Sequence, residues 1–310
     1  MGANITRRSI SKRLDAGAAA TAAPTPHPTG VQKVGAVAAW LQRVRLRHWI
    51  HFLPAPLATF DPHAPSGSAL FAAGRGVASA FTILAFGFLL NSVSDRQMDR
   101  DARKNPFVDP AAGEHRYSLA ALLVVSLILA TLSPWPAQLA TLMCLLLGYV
   151  YSMGPRLKAI PIAGSLVNVG GFALLLFLGM RDTTLPPRFG YVVLVFASLL
   201  LQNQLIHEAA DQLEDRAGGV ETTWLTLGSR WTGVIAAFSG LAATFATTCL
   251  VPAIPLAAVV VLVGTAFAVA FPLLLAWRGQ ESNQAALLRV THRWCAVLLG
   301  AGLFTVWGWA

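Results

Sequence analysis

Repeated apolar segments constrain the fold of this chain more than any other feature of its sequence. Each is close to the ~20 residues that a helix needs to cross a bilayer. Only 12% of the residues are charged, about half the fraction found in soluble domains. The sequence therefore predicts an all-α, polytopic membrane bundle of about nine transmembrane helices. The predicted spans are 41–61, 69–92, 117–134, 136–153, 160–180, 189–208, 231–251, 254–277 and 289–309.

The composition also predicts the domain organisation and excludes two classes of site. Residues 1–35 are rich in Ala, Thr, Pro and Gly, which is typical of a disordered tail, so residues 36–310 are expected to form the membrane domain. The three cysteines, Cys144, Cys249 and Cys295, lie inside apolar runs without Cys-x-x-Cys spacing. This spacing supports neither a zinc site nor a disulfide framework.

The basic residues predict the orientation in the membrane. The net charge of +9 is spread over short loops rather than a basic domain, so nucleic acid is not an expected partner. Alternate loops carry most of the Lys and Arg residues, with Arg75, Arg181 and Arg188 as exceptions. The positive-inside rule then places the N-terminus in the cytoplasm and, with an odd number of spans, the C-terminus outside. The expected location is a cell membrane, the inner membrane in a bacterium.

Two acidic motifs lie at the ends of predicted spans. The first is Asn91-x-x-x-Asp95-x-x-x-Asp99, and the second is His207-Glu208-x-x-Asp211-x-x-x-Asp215. At about 100° per residue, each set lines one face of a helix. Carboxylates are costly near the hydrocarbon region and mark ion or substrate sites by default. The charge pattern places both motifs on the cytoplasmic side, where their acidic faces are expected to converge.

These carboxylates predict a magnesium site that binds a diphosphate. Two facing acidic sets would repel each other unless cations lay between them, and Mg²⁺ prefers carboxylate oxygens, water and substrate phosphates. Lys104, Arg156 and Lys158 lie in the same set of loops and are candidates to bind the phosphates. The alternative interpretation is that the carboxylates only pair with neighbouring arginines in a solvated loop.

The motifs resemble those of the UbiA-type intramembrane prenyltransferases. The first is similar to the family's Asn-x-x-x-Asp-x-x-x-Asp signature, and the second to its later Asp-rich motif. Two further stretches resemble the family, and the resemblance as a whole covers the chain from about residue 40 to the C-terminus. They are Tyr149-Val-Tyr151-Ser-Met-Gly-Pro155-Arg156-Leu-Lys158 and Asp211-x-x-x-Asp215-Arg216-x-x-Gly219-x-x-Thr222, followed by Leu227-Gly228.

The resemblance implies a nine-helix bundle around a cavity that opens sideways to lipid. A prenyl diphosphate would bind through Mg²⁺ and ionise to an allylic cation, which a lipid-soluble and usually aromatic acceptor captures. The implied metal ligands are Asp95, Asp99, Asp211 and Asp215. Asn91 and Glu208 would complete or orient the metal shells, and Lys104, Arg156 and Lys158 would hold the diphosphate. Tyr149 and Tyr151 either face the cation or anchor the chain at the membrane interface.

Some residues differ from the family pattern and leave the acceptor open. Asp109 stands where the family has a basic residue, and His207-Glu208 replaces the more usual Asn or Tyr followed by Asp. His207 is a candidate base, although its position at the end of a predicted helix favours a local structural role. No obligate protein partner is evident, and membrane lipids are the expected surroundings.

Two related reactions and one other class of protein remain as alternatives. Phosphoribosyl transfer to a polyprenyl phosphate and cyclisation of a prenyl diphosphate would use the same site. A cation-coupled transporter also needs intramembrane carboxylates. Transporter sites, however, lie near the bilayer midplane, whereas these motifs lie at the predicted cytoplasmic ends of spans beside basic loops.

Overall fold

A computed structural model describes residues 36–60, 66–96, 105, 107, 115–250 and 263–307. Within these ranges the chain is helical and contains no strand, which confirms the predicted all-α class. The helices are α1 Ala36–Arg43, α2 Gly67–Asp95, α3 His115–Thr131, α4 Trp135–Ser152, α5 Ala163–Phe177, α6 Phe189–Gly218, α7 Thr223–Leu250, α8 Val263–Arg278 and α9 Ser282–Trp307.

The helices form a membrane bundle. In the described part of the chain, α2, α6 and α7 are long and apolar enough to cross a bilayer, and α3, α5 and α8 are shorter apolar helices. Large apolar side chains face outward, such as Tyr117 at 82%, Phe238 at 70% and Trp277 at 72% exposure. Apolar surface on this scale is suited to contact with lipid rather than water. The count of nine crossings stays a prediction.

The predicted first span is not one continuous helix. After α1, the chain forms 3₁₀ turns at Leu46–His48, Ile50–Phe52 and Ala55–Thr59. Pro54 and Pro56 lie in this stretch and lack the amide hydrogens that a continuous α-helix would use. Trp49 is fully buried, and its indole Nε1 donates to the Val44 carbonyl at 2.6 Å. This tryptophan holds the 3₁₀ segment against the bundle.

Each half of the bundle has its own hydrophobic core. The first joins the 3₁₀ segment to α2, α3 and α4, and the second joins α6, α7, α8 and α9. Helix α5 contacts both α4 and α6. The connection between α4 and α5 therefore lies where the N-terminal and C-terminal halves meet.

A buried amide joins the helices of the C-terminal half. Gln202 of α6 is fully buried, and its Nε2 donates to the carbonyls of Ala236 and Phe267 at 2.7 and 2.6 Å. Phe267 belongs to a π-helical turn, Ala266–Ala270, within α8. The Gln202 Oε1 lies 3.0 Å from Nε2 of His292 in α9. Because both amide hydrogens are used by carbonyls, the imidazole must donate this last bond.

Two glycines of the second motif's tail have a clear backbone role. Gly219 ends α6 in the left-handed region, at φ 66°, where the Val220 amide donates to the Asp215 carbonyl at 2.9 Å. Gly228, at φ 71° and ψ 173°, breaks the start of α7. Glycine adopts positive φ without the steric cost that other residues incur. These residues fix the path of the chain that follows the second acidic motif.

Candidate active site

The segment between α4 and α5, residues 153–162, brings basic side chains to the first acidic motif. The Lys158 ammonium donates to the Asn91 Oδ1 at 2.8 Å and also forms an ion pair with Asp95. Nη2 of Arg156 lies 3.1 Å from the same Asp95 carboxylate. The side chains of Asp95 and Lys158 are only 14% and 12% exposed. The first motif and the basic segment therefore form one largely buried polar group.

The backbone of this segment adopts unusual conformations. Gly154, Arg156 and Ile162 have φ values of 57°, 49° and 65°. A β-branched residue such as isoleucine is rarely found at positive φ. Strained backbone persists only where the surrounding structure holds it, and it clusters at functional sites. The strain here is consistent with a segment whose shape serves to position Arg156 and Lys158.

Glu208, from the second motif, is a buried hydrogen-bond acceptor. Its Oε1 accepts from Ser165 Oγ at 2.6 Å and from Gln204 Nε2 at 3.1 Å. Its Oε2 accepts from the Trp224 amide at 2.9 Å. The side chain thus links α5, α6 and the start of α7. Since these bonds engage both carboxylate oxygens, we interpret Glu208 as a residue that positions the second motif.

The 153–162 segment also reaches the second motif. The Ile162 amide donates to Thr223 Oγ1 at 2.9 Å, and Ser165 Oγ lies 2.8 Å from the same hydroxyl. Ser165 in turn donates to Glu208. A continuous chain of contacts therefore runs from Asp95, through the basic segment, to the helix that carries the second motif.

Tyr151 lies near carboxylates of both motifs. The carboxylates of Asp95, Glu208 and Asp215 are all close enough to interact electrostatically with its hydroxyl. Tyr149, in contrast, is 48% exposed. The two tyrosines of the family-like stretch therefore have different surroundings, and Tyr151 lies within electrostatic range of carboxylates from both acidic helices.

The remaining acidic residues of the second motif lie on α6. Nδ1 of His207 lies 3.1 Å from an oxygen of Asp211, one turn later, and both side chains are about one-third exposed, at 35% and 38%. Asp215 is partly buried. Among the described residues, no three His, Cys, Asp or Glu side chains are grouped closely enough to hold a metal ion by themselves.

Asp99 and Lys104 lie outside the described residues, so their predicted roles stay predictions. The neighbouring Asn105 is described and fully buried. Its Nδ2 donates to the Ser92 carbonyl of α2 at 2.7 Å, and its Oδ1 accepts from the Phe107 amide at 3.0 Å. This asparagine fixes the chain that follows the first motif against α2.

An apolar cavity lies along α6, and its lining ends at Asn203, one turn before the second motif. It has a volume of about 370 Å³ and is lined by the 3₁₀ segment, α6 and α9, together with Leu176 and Leu250. On α6, Phe196, Leu200 and Asn203 line the cavity, and the spacing of three to four residues continues to His207 and Asp211. These positions share one helix face. The cavity therefore leads along α6 towards the acidic motif.

Comparison with known proteins decides the family. The family model described as the UbiA prenyltransferase family matches residues 55–298, well over half of the chain. The chain belongs to the UbiA prenyltransferase family. No curated protein sequence matches it.

Solved structures of UbiA homologues share the fold. A homologue from Archaeoglobus fulgidus, bound to GPP and Mg²⁺, has a TM-score of 0.67 and 21% identity over 86% of this chain and 99% of its own. A structure concerning digeranylgeranylglyceryl phosphate synthase has a TM-score of 0.70 and 15% identity over 88% and 99% of the two chains. A homologue from Aeropyrum pernix K1 has a TM-score of 0.57 and 19% identity, covering 84% and 98%. At these identities the likeness supports the UbiA fold alone.

The structure also brings together residues that sequence reasoning did not select. Ser152 donates to Asn91 Oδ1 at 3.3 Å, while Ser165 and Thr223 form the link to Glu208 described above. Serine and threonine are common in apolar helices, so their spacing gave no signal. Arg293 was not selected as a site residue from the sequence, yet it lines the cavity of this UbiA-family protein.

Proposed function

We propose that this UbiA-family protein transfers a prenyl group from a prenyl diphosphate to a lipid-soluble acceptor, with Mg²⁺ as cofactor. The observation that carries the proposal is the 153–162 segment. It holds Arg156 and Lys158 against Asp95, and its Ile162 amide donates to Thr223, which Ser165 links to Glu208 of the second motif. The cations proposed for the diphosphate are thus held at Asp95, and hydrogen bonds connect their segment to the second motif.

The residues present suit magnesium. Asp95, Asp211 and Asp215 offer hard oxygen donors, with Asp99 as a further candidate outside the described residues. Mg²⁺ is usually held by one or two carboxylates together with water and substrate phosphates, so a complete protein cage is not required. When bound, it would offset negative charge on the leaving diphosphate. The A. fulgidus homologue bound to GPP and Mg²⁺ supports this assignment.

The chain's own residues would bind and orient the donor. Arg156 and Lys158 would move part of their contact from Asp95 to the diphosphate oxygens, while Asn91 keeps the Lys158 ammonium in place. The C1–O bond of the prenyl group breaks with its electron pair leaving on the diphosphate. C1 then bonds to the acceptor, which releases a proton. Tyr151 would present its ring near the developing cation, and the apolar cavity would exclude water.

The site is expected to open on the cytoplasmic side of the membrane. Its basic segment belongs to the loops that are rich in Lys and Arg, which the positive-inside rule assigns to the cytoplasm. The acceptor is expected to be lipid-soluble, because the adjoining cavity is lined mainly by apolar side chains. An aromatic acceptor fits this environment.

Purified protein in liposomes tests the proposal. We would supply labelled geranyl, farnesyl and longer prenyl diphosphates with a panel of phenolic, naphthoic and non-aromatic acceptors. The expected result is a labelled prenylated acceptor, with activity lost on addition of EDTA and restored by excess Mg²⁺.

Other products would indicate a different function. Diphosphate release with a cyclic hydrocarbon and no prenylated acceptor would favour cyclisation. A product from polyprenyl phosphate and a phosphoribosyl donor would favour phosphoribosyl transfer. Cation flux into the liposomes without any prenyl product would support the transporter alternative. Activity that is indifferent to EDTA would contradict the magnesium assignment.

A further inference from the structure

Gln212 is the last buried side chain of α6. It lies between Asp211 and Asp215 in the second motif, and it is only 5% exposed. The residues of α6 that follow it, 213–218, are exposed or only partly buried. The turn that carries Asp215 thus contributes no buried side chain of its own, and burial fixes α6 only as far as Gln212.

The amide of Gln212 joins α6 to the turn between α8 and α9. Its Nε2 donates to the carbonyls of Gly279 and Gln280 at 2.8 and 3.2 Å. Ser282, the first residue of α9, donates to the Ala210 carbonyl of α6. These contacts hold the turn against the part of α6 that carries the second motif.

Trp224, near the start of α7, contacts α6 at two positions. Its backbone amide donates to Glu208 Oε2 at 2.9 Å, and its indole Nε1 donates to Gln212 Oε1 at 3.4 Å. The residue is 4% exposed. It packs closely on Gly279, where a Cβ would lie 2.6 Å from the indole Cη2. The indole therefore links two buried residues of α6 and the turn that follows α8.

These bonds determine the direction in which the second motif faces. Glu208 and Gln212 are spaced i, i+4 and share one face of α6, while Asp211 and Asp215 share another face about 60° away. Any rotation of α6 about its axis moves both faces together. A buried polar group with all its bonds made specifies one arrangement. Fixing the first face therefore fixes the orientation of the two aspartates.

We propose that Gln212 and Trp224 are positioning residues that set the orientation of Asp211 and Asp215 for Mg²⁺. The inference rests on the proposed prenyl transfer, in which these aspartates are metal ligands. Gln212 and Trp224 act through the backbone of α6 rather than by contact with the metal. Groups that orient metal ligands typically change metal affinity by about 10- to 100-fold when they are replaced.

Mg²⁺ affinity, measured by titration calorimetry, tests the proposal. The purified protein is first saturated with geranyl S-thiolodiphosphate, a donor analogue whose carbon–sulfur bond ionises slowly. Gln212→Met keeps the length of the side chain and removes its hydrogen bonds. The Kd for Mg²⁺ should rise by about 10-fold, the lower end of the range for groups that orient metal ligands.

Gln202→Met is the matched control in the same helix. Gln202 is also a buried glutamine of α6, and its Nε2 also donates to two backbone carbonyls, at 2.7 and 2.6 Å, but it lies before the second motif. Both variants should lower Tm, because each leaves buried carbonyls without a donor. Only Gln212→Met should weaken Mg²⁺ binding. An equal rise of the Kd in both variants would overturn the proposal, since general destabilisation would then explain it.

Trp224→Phe gives a second test, which decides the matter if Gln212→Met does not fold. It removes the indole hydrogen bond to Gln212 and keeps the backbone amide that binds Glu208. The Kd for Mg²⁺ should rise by about 2- to 10-fold, as expected for the loss of one hydrogen bond. An unchanged Kd in the folded variants would show that neither residue orients the aspartates.

The same titrations separate this inference from the proposed function. If the wild type transfers a prenyl group and the variants bind Mg²⁺ as tightly as it does, the positioning role is wrong and the prenyl-transfer proposal stands. If the variants bind Mg²⁺ more weakly but the wild type prenylates no acceptor, the positioning role stands and prenyl transfer is wrong. If the wild type binds no Mg²⁺ beside the analogue, the magnesium assignment and the positioning role are both wrong.

Discussion

At the scale of single residues, the site is built around Asp95. Its carboxylate binds both Lys158 and Arg156, so removal of the charge leaves two basic groups without their acidic partner. A partly buried charge without a partner is unfavourable. The same carboxylate is a proposed metal ligand. Asp95 therefore contributes both to the stability of the site and to its chemistry. Tm reports the first contribution, and kcat reports the second.

We expect Asp95→Asn to lower kcat by about 100-fold or more, the range seen when a group that stabilises developing charge is removed. The substitution keeps the size of the side chain but weakens its pairing with Lys158 and any bond to Mg²⁺. Turnover of labelled prenyl diphosphate in liposomes measures kcat, and the Tm of the purified protein shows that the variant is folded.

Asp182→Asn is the control for this substitution. Asp182 is an exposed aspartate that also pairs with an arginine, Arg181, at 3.4 Å, but it lies in the connection before α6. Its replacement should leave turnover unchanged. Full activity in Asp95→Asn would remove Asp95 from the proposed metal and diphosphate site.

At the scale of elements, the connection between α4 and α5 determines whether the site can form. Its basic residues depend on a backbone with positive φ at Arg156 and Ile162. Helix α5 packs directly against this backbone. A Cβ on Gly164 would lie 2.9 Å from the Leu157 carbonyl oxygen and 3.0 Å from the Lys158 Cα. Glycine at this position permits the close approach.

We expect Gly164→Ala to displace the backbone that carries Lys158. Since small errors in the position of a catalytic group are costly, kcat/KM should fall by about 10- to 100-fold. Binding of prenyl diphosphate, measured by titration, should weaken as well. The added methyl group should also lower the free energy of unfolding by about 1–3 kcal/mol, as overpacking does.

Gly170→Ala provides a control in the same helix. A Cβ there would meet its nearest neighbour, Leu147 Cδ1, at 3.9 Å, an ordinary van der Waals contact. This variant should keep the activity and affinity of the wild type. If Gly164→Ala and Gly170→Ala change activity and affinity equally, the effect is not specific to the contact between Gly164 and Lys158. The proposed displacement of Lys158 would then be wrong.

At the scale of the whole molecule, one end of the bundle is polar and its outer faces are apolar. The contacts that join Asp95 to the second motif lie at one end of α2 and α6. Towards the opposite end, the buried Arg75 donates to the carbonyls of Leu132 and Met180. Arg75 is an exception to the charge pattern, and these bonds to loop carbonyls account for its presence.

Cysteine labelling tests the proposed orientation. With Cys144, Cys249 and Cys295 replaced by alanine, we would introduce Glu214→Cys or Asp182→Cys, both at exposed positions. A membrane-impermeant thiol reagent should label Asp182→Cys from outside intact cells and Glu214→Cys only after the membrane is opened. The reverse pattern would contradict the cytoplasmic location of the acidic motifs.

The sequence was sufficient to predict the fold class and the family, but not the surroundings of each site residue. The long apolar runs predicted a helical membrane protein, and the spacing of the acidic motifs led to the family that the sequence comparison confirms. The roles assigned to individual site residues stay predictions. Arg156 and Lys158 lie beside Asp95, whereas Glu208 binds serine, glutamine and a backbone amide. Spacing alone did not distinguish these surroundings.

The amino-acid sequence by itself determined the membrane environment, the helical class and the family, because these depend on local composition and on short motifs with fixed spacing. Tertiary structure decided which groups meet. Lys158 reaches Asp95 only because a strained connection folds back on α2, and Arg293 and His51 line one cavity only because the first and last helical regions are neighbours. Such contacts join residues that are far apart in the chain, so they depend on packing between helices rather than on any local pattern.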